Sequence, residues 1–271
     1  MAPVTKGDSA AVRLLNRARL VPRIAWLAAR APRDPHRAWE GYWKDIRTTG
    51  AGGQVLWDSA SDAEREQYAE ALRAHLDTSL PVIDVGCGNG SFTRWLAGIF
   101  PEALGIDVSP SAIARAETEA AGLANVSFAV VDATEPGAVV SPYPGACNVF
   151  VRGVLHVLPP RPQAVMAVNL RTAVRGGRVF LTETNFPGSS LEYVERLGAA
   201  PGYIPAGLKR AIAGLPRPGH FGATERGAAF PEDQWQLLAD GPAVIHTVPA
   251  ETTESTPVPG YFAVLQPRKG A

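Results

Sequence analysis

Cysteine is nearly absent: Cys87 and Cys147 are the two found in 271 residues. One interrupts a glycine-rich stretch and the other opens an apolar run, which excludes a disulfide framework and fits a reducing cytoplasm. No run reaches the roughly eighteen consecutive apolar residues that crossing a bilayer requires, so no integral membrane segment is expected. The chain opens on no signal-peptide pattern. Net charge is missing as well, with 26 Lys+Arg against 26 Asp+Glu, leaving no global field to draw in nucleic acid. At 46% hydrophobic and 19% charged residues, the composition is that of a folded enzyme and not of a disordered chain. The length holds one large α/β domain, or one domain with a cap.

What is present concentrates in Val82-Ile83-Asp84-Val85-Gly86-Cys87-Gly88-Asn89-Gly90. The pattern is a buried strand carrying a carboxylate, then a glycine-rich turn, then a helix. Glycines at alternating positions let backbone approach a ligand closely, and the turn delivers free amide donors to the start of the helix. Such a loop alone is shared by many nucleotide binders. Two further acids sharpen it. Leu104-Gly105-Ile106-Asp107 and Val126-Ser127-Phe128-Ala129-Val130-Val131-Asp132 are apolar runs that each end in a carboxylate. In a doubly wound sheet the end of the second strand lies beside the first loop, where an acid accepts ribose hydroxyls. Asp132, one strand further along the same edge, is placed to accept from an adenine amino group, with the Ala133 amide against a ring nitrogen. Three strands presenting acids at one edge describe an adenosine site with no phosphate to neutralise.

On these residues, 82 to 185 resemble the class I S-adenosylmethionine-dependent methyltransferases. The hallmark is the acid two places before Gly86-x-Gly88-x-Gly90; the nicotinamide fingerprint would demand glycine where Ser91 stands. A strand and short helix over Val149 to Pro159, and Gly176-Gly177 before a fifth strand, complete the pattern. The resemblance implies an α/β, Rossmann-like fold. Its sheet is seven-stranded and mostly parallel with an antiparallel last strand, and helices lie on both faces. It implies S-adenosylmethionine as cofactor, held by the loop Gly86, Cys87, Gly88, Asn89 and Gly90. Asp84 orients that loop, Asp107 takes the ribose with Val108 against adenine, and Asp132 and Ala133 take the adenine edge. Arg152 and Gly153 lie below the methionine tail, Arg152 pairing with the cofactor carboxylate or with substrate.

Residues 80–271 form the catalytic domain in this scheme, with a substrate cap at about 186–230. Residues 1–79 precede it as a helical lid segment. The first 37 residues are basic, and Val12, Leu15, Leu20, Ile24 and Leu27 fall at roughly helical spacing, with Pro22 expected to interrupt the helix. A membrane-touching or import helix and a helix packed on the domain or on a second subunit, as in a homodimer, are the alternatives. Trp39, Tyr42, Trp43 and Trp57 follow, either as core or as a lid; Tyr42, Trp43 and Trp57 are the lid candidates, their faces suited to a sulfonium cation. A helix from about Ala60 to Leu76 leads into the first strand. Another is expected at Pro231 to Leu238, then strands near Ala243 to Val248 and Gly260 to Gln266.

Methyl transfer from a sulfonium is an in-line displacement that gains mainly from orientation. A base is needed only where the nucleophile holds its proton. His156, four residues after Arg152 and expected on the same face of a helical turn, and His220, flanked by glycines in the cap, are the catalytic candidates; each also reads as a purely structural or exposed histidine. Glu183 and Asn185 at the end of the fifth strand are substrate-contact candidates. No His/Asp/Glu cluster has metal-site spacing. The function expected is methyl transfer to O, N, S or C of a small, largely apolar metabolite; the alternative is a cyclase or lyase that keeps the fold and uses the cofactor without methyl transfer.

Overall fold

The computed structural model describes residues 10–50, 52–58, 62–247 and 255–268, with side chains from residue 17 onward. Lys6, Asp8, Ala60 and Val248 therefore lie outside the described residues. The helices are α1 (Ala10–Ala28), α2 (Pro35–Asp45), α3 (Asp62–His75), α4 (Ser91–Leu96), α5 (Pro110–Glu119), α6 (Pro160–Val174), α7 (Ser190–Arg196), α8 (Ala206–Gly214) and α9 (Ala223–Ala229). The strands are β1 (Val82–Val85), β2 (Ala103–Asp107), β3 (Val126–Val130), β4 (Asn148–Arg152), β5 (Val179–Thr184), β6 (Trp235–Thr247) and β7 (Thr256–Pro267). They form one sheet in the order β3-β2-β1-β4-β5-β7-β6, parallel from β3 to β5, with β7 running against its two neighbours.

Every residue of β1, β2 and β5 is buried, because helices cover both faces of a parallel sheet and leave its strands no wet side. Tyr68, Leu72, Leu96, Phe150 and Phe180 pack under α3 and α4 on one face; Ile83, Val149, Met166, Leu170 and Phe230 pack under α6 and α9 on the other. The helix starts follow local chemistry: Ser109 accepts the Ala112 N–H ahead of Pro110, and Ser189 and Glu192 form a reciprocal capping box. Gly177 has no room for a side chain, since a Cβ there would stand 1.9 Å from the Cys147 carbonyl oxygen.

Three expectations are corrected. Pro231 to Leu238 is no helix: the Gln234 and Trp235 amides turn back to the Pro231 carbonyl at 3.0 and 2.9 Å, and Trp235, buried, opens β6. A proline ahead of acids suits such a turn as well as a helix start, and twelve of the thirteen residues of β6 pair with β7, with a register shift at Leu238. Pro22 does not interrupt α1, which runs through it. Its ring is exposed, while Leu20 and Leu27 on the other side pack on Leu197, Ile204 and Leu208 and hold the helix in place. Arg152 and His156 share no face, for the chain reverses at Gly153 (φ 73°) and sends the two side chains to different partners.

Candidate functional site

The sheet changes direction of winding between β1 and β4, the place where doubly wound folds hold their ligands at the carboxyl ends of the strands. The glycine loop leaves β1 here with Gly86, Gly88 and Gly90 all at positive φ (75°, 55° and 70°). Asp107 ties the loop to β2: its carboxylate accepts the Gly88 N–H at 2.9 Å and the Ser109 N–H at 2.9 Å. Asp132 lies one strand over, accepting the Thr134 N–H and hydroxyl at 2.8 and 2.7 Å with one oxygen. Its other oxygen is 2.8 Å from His36 Nε2, off the line of a hydrogen bond.

Asp84 sits beneath the loop, 2% exposed, accepting the Thr93 hydroxyl at 2.6 Å. Burial pushes its carboxyl up to about 7, with Asp107 adding to the rise and Thr93 and Arg152 opposing it. Asp107 is also raised, again by burial first, against the Ser109 and Gly88 amides. A folded-state value above the ordinary 3.8 means that Asp84 favours the folded chain below that pH and loses this contribution as pH rises through about 7. Asparagine keeps an acceptor for Thr93 without the charge. Asp84→Asn is therefore expected to gain about 2 to 3 kcal/mol over the natural chain between pH 5 and pH 8. Denaturant unfolding of both proteins at the two pH values checks this; a pH-independent difference would contradict it.

Helix α2 and the segment after it roof the loop. Glu40 accepts the Ser109 hydroxyl at 2.7 Å and the Ser111 N–H and hydroxyl at 3.1 and 2.6 Å, fastening α2 to the start of α5. A Cβ at Gly88 would stand 2.7 Å from the Trp43 ring. Tyr42 stacks on Trp57 at 5.2 Å, and Trp39 and Trp43 meet the pair edge-on. Burial pushes the Tyr42 phenol up. Beneath them the Asn89 side-chain amide donates to Asp58 and Glu119 at 3.0 and 3.2 Å, and Asp58 also accepts the Gly50 N–H at 2.6 Å.

At the ends of β4 and β5, Glu183 is fully buried. It accepts the Val154 and Leu155 amides at 3.0 and 2.9 Å on one oxygen, and the His156 amide at 3.1 Å on the other. That second oxygen is 2.7 Å from His156 Nδ1. With donors converging on this carboxylate, Nδ1 carries the proton and Nε2 is the ring's acceptor. Beside the pair, the Gly219 N–H donates to the His156 carbonyl at 2.8 Å. A cavity of about 360 Å³ opens there between α7 and the loop 217–220, walled by Phe186, Tyr193, Arg217 and His220.

Residues 82–177 match the sequence model of a family described as a methyltransferase domain. A solved S-adenosylmethionine-dependent methyltransferase from Anabaena variabilis is 25% identical, with a TM-score of 0.74 over 88% of this chain and 97% of that one. Over residues 82–177 the chain is thus similar to methyltransferase domains, and its sheet shares the fold of the Anabaena enzyme. Two curated relatives agree in part. A ubiquinone biosynthesis O-methyltransferase of Methylococcus capsulatus is 30% identical over 149 residues, 52% of this chain and 61% of that protein. A trans-aconitate 2-methyltransferase of Methylobacterium nodulans is 35% identical over 111 residues, 38% of this chain and 40% of that protein. The chain thus spans about half the length of these curated relatives.

The glycine loop, Asp107, Val108, Asp132 and Ala133 lie along one edge of the sheet. Cys87 is buried within the loop, its thiol pushed well up by burial. Arg152 is engaged elsewhere: its Nε donates to Glu64 of α3 at 2.5 Å, and its guanidinium lies over Phe92 at 4.6 Å. Its Nη2 is buried with no hydrogen-bond partner among the described residues. Asn185 packs under Gly222. His220 is not brought to His156: its ring stands at the rim, mostly exposed, 3.2 Å from Glu225. Sequence reasoning missed His36, Glu40 and Glu64. The spacing of His36, Glu40 and Trp43 on one face of α2 was the available signal for the first two; nothing local marked Glu64.

Proposed function

We propose that this methyltransferase moves a methyl group from S-adenosylmethionine to a small, largely apolar metabolite in the cytoplasm, with 186–230 as substrate cap and the segment before β1 as lid. The observation that carries it is the Gly86–Gly90 loop, bound through Gly88 to Asp107, with the His156–Glu183 pair on the neighbouring strand ends. The residues fit the cofactor on their own chemistry. Glycines at positive φ leave backbone exposed to a ligand, while Asp132 Oδ2 and Arg152 Nη2 are buried polar atoms short of hydrogen-bond partners.

Bound S-adenosylmethionine supplies a methyl group already activated by its sulfonium charge. The chain supplies position and dryness. In this proposal Asp107 accepts the ribose hydroxyls, Val108 lies against adenine, and Asp132 with the Ala133 amide holds the adenine edge once His36 yields it. Asp84 holds the loop through Thr93, and Gly153 floors the site. Arg152 Nη2 offers a donor to the methionine carboxylate. Trp43, Tyr42 and Trp57 exclude water from above. His156 Nε2 accepts the proton of the attacking group, with Nδ1 fixed by Glu183. In the neighbouring cavity Phe186 and Tyr193 would meet the acceptor's apolar body, and Thr184, Ser190 and Arg217 its polar groups.

Incubation with donor labelled in its methyl group tests the whole: label appearing in an acceptor of this class is expected, whereas an isomerised, unlabelled product would overturn methyl transfer. Asp107→Ala is expected to weaken S-adenosylhomocysteine binding by roughly 1 to 3 kcal/mol, the loss of charge-assisted hydrogen bonds. Unchanged affinity in calorimetric titration would remove the ribose assignment.

A further inference from the structure

The outward face of α1 and its neighbour α8 carry charge of one sign. Residues 17–33 hold five arginines and no acid, and α8 adds Lys209 and Arg210, again with no acid. The chain as a whole is neutral, so this surplus is segregated. Arg17, at one edge, is paired with Glu192 and Glu195; Arg19, Arg23, Arg30 and Lys209 are exposed. Among these bases stand Val21, Trp26 and Tyr203, 48%, 56% and 41% exposed. Arg30 lies over the Trp26 ring at 3.5 Å. Trp26 and Tyr203 wall a groove of about 450 Å³ between α1 and the cap. Leu20 and Leu27 are locked into the opposite side, so the helix cannot roll to hide this face.

We propose that the α1–α8 face docks on an anionic phospholipid surface. Rings lying among bases match the headgroup layer, where Trp and Tyr place an apolar body and a polar edge. Arginine and lysine reach past apolar stems to the lipid phosphates. The contact is peripheral, since no helix among the described residues is long and apolar enough to cross a membrane. Docking needs no catalysis, so the proposal stands apart from the methyl-transfer reading, although it would bring the cap beside a reservoir of apolar acceptors.

Sedimentation of the full chain with vesicles tests it. Vesicles of phosphatidylcholine and phosphatidylglycerol in equal parts are expected to carry the protein down at low salt, and phosphatidylcholine alone to do so about tenfold less well. Arg23→Glu with Lys209→Glu is expected to cut anionic binding about tenfold or more, and Trp26→Ala to reduce it while the far-ultraviolet circular dichroism and S-adenosylhomocysteine binding stay as in the natural chain. Equal binding to both vesicles, no binding to either, or charge-reversed protein that binds like the natural chain would overturn the proposal. So would light scattering that shows a dimer which Trp26→Ala dissociates, since the face would then be an interface between copies of the chain.

Discussion

Replacing His156 with alanine is expected to lower methyl-transfer turnover by roughly two to four orders of magnitude, the usual loss for a positioned general base, with cofactor affinity near that of the natural chain. The expectation rests on what holds the ring. Glu183 is fully buried at the end of β5, and its oxygens take the Val154, Leu155 and His156 amides as well as Nδ1. One carboxylate thus fixes both the turn and the tautomer. Glu183→Gln brings an N–H₂ into a shell made of donors, so at least one contact must turn from attractive to repulsive. Its turnover is expected to fall with that of His156→Ala, and combining the two substitutions is expected to cost little beyond either alone, since both act through one ring. Stopped turnover assays with the acceptor, beside calorimetric titration of S-adenosylhomocysteine, separate the outcomes. A natural turnover in His156→Ala would retire the base and leave Glu183 as a loop anchor.

The largest effect on stability is expected from Glu64→Ala. The Glu64 and Arg152 side chains are 2% and 7% exposed, and the pair is joined at 2.5 Å. The second Glu64 oxygen accepts the His246 N–H at 2.8 Å, so one side chain joins α3, β4 and β6. Burial alone would pull the Arg152 charge down, but Glu64 more than offsets it and holds the guanidinium firmly protonated. Removing the carboxylate leaves a buried cation without its counter-ion and a backbone N–H without an acceptor. The expected loss is about 3 to 5 kcal/mol, the range for breaking one partner out of a buried pair, read as a lower midpoint in denaturant unfolding. Glu64→Leu combined with Arg152→Met removes both charges and is expected to recover most of that loss. A Glu64→Ala protein as stable as the natural chain would show that water reaches Arg152.

The parts of the fold legible in the sequence are those with local causes. Strands β1, β2 and β5 are buried on both faces and read as short apolar runs, and the loop from Gly86 to Gly90 announces itself by its spacing. The misread stretch, Pro231 to Leu238, has a helix-start pattern that its neighbour β7 overrides by pairing with it from Trp235 onward. Pro22 misled because the tertiary anchors Leu20 and Leu27 offset a local penalty. At the site, the acids on β1 to β3 follow from strand period and edge. The pairs Arg152–Glu64 and His36–Asp132 join residues 88 and 96 positions apart in the chain, and no local pattern encodes such a meeting. The His156–Glu183 pair lay between: both residues stood out singly as strand-end polar groups, and the fold joined them.

The claim on which the rest depends is that the edge formed by Gly86–Gly90, Asp107 and Asp132 holds an adenosine ligand free of phosphate. Calorimetric titration of the natural chain with S-adenosylhomocysteine and, separately, with NAD tests it most directly. Saturable binding of S-adenosylhomocysteine at one site per chain, weakened by Asp107→Ala, with no heat from NAD, is the expected result. Binding of NAD in preference to S-adenosylhomocysteine, or of neither, would contradict it.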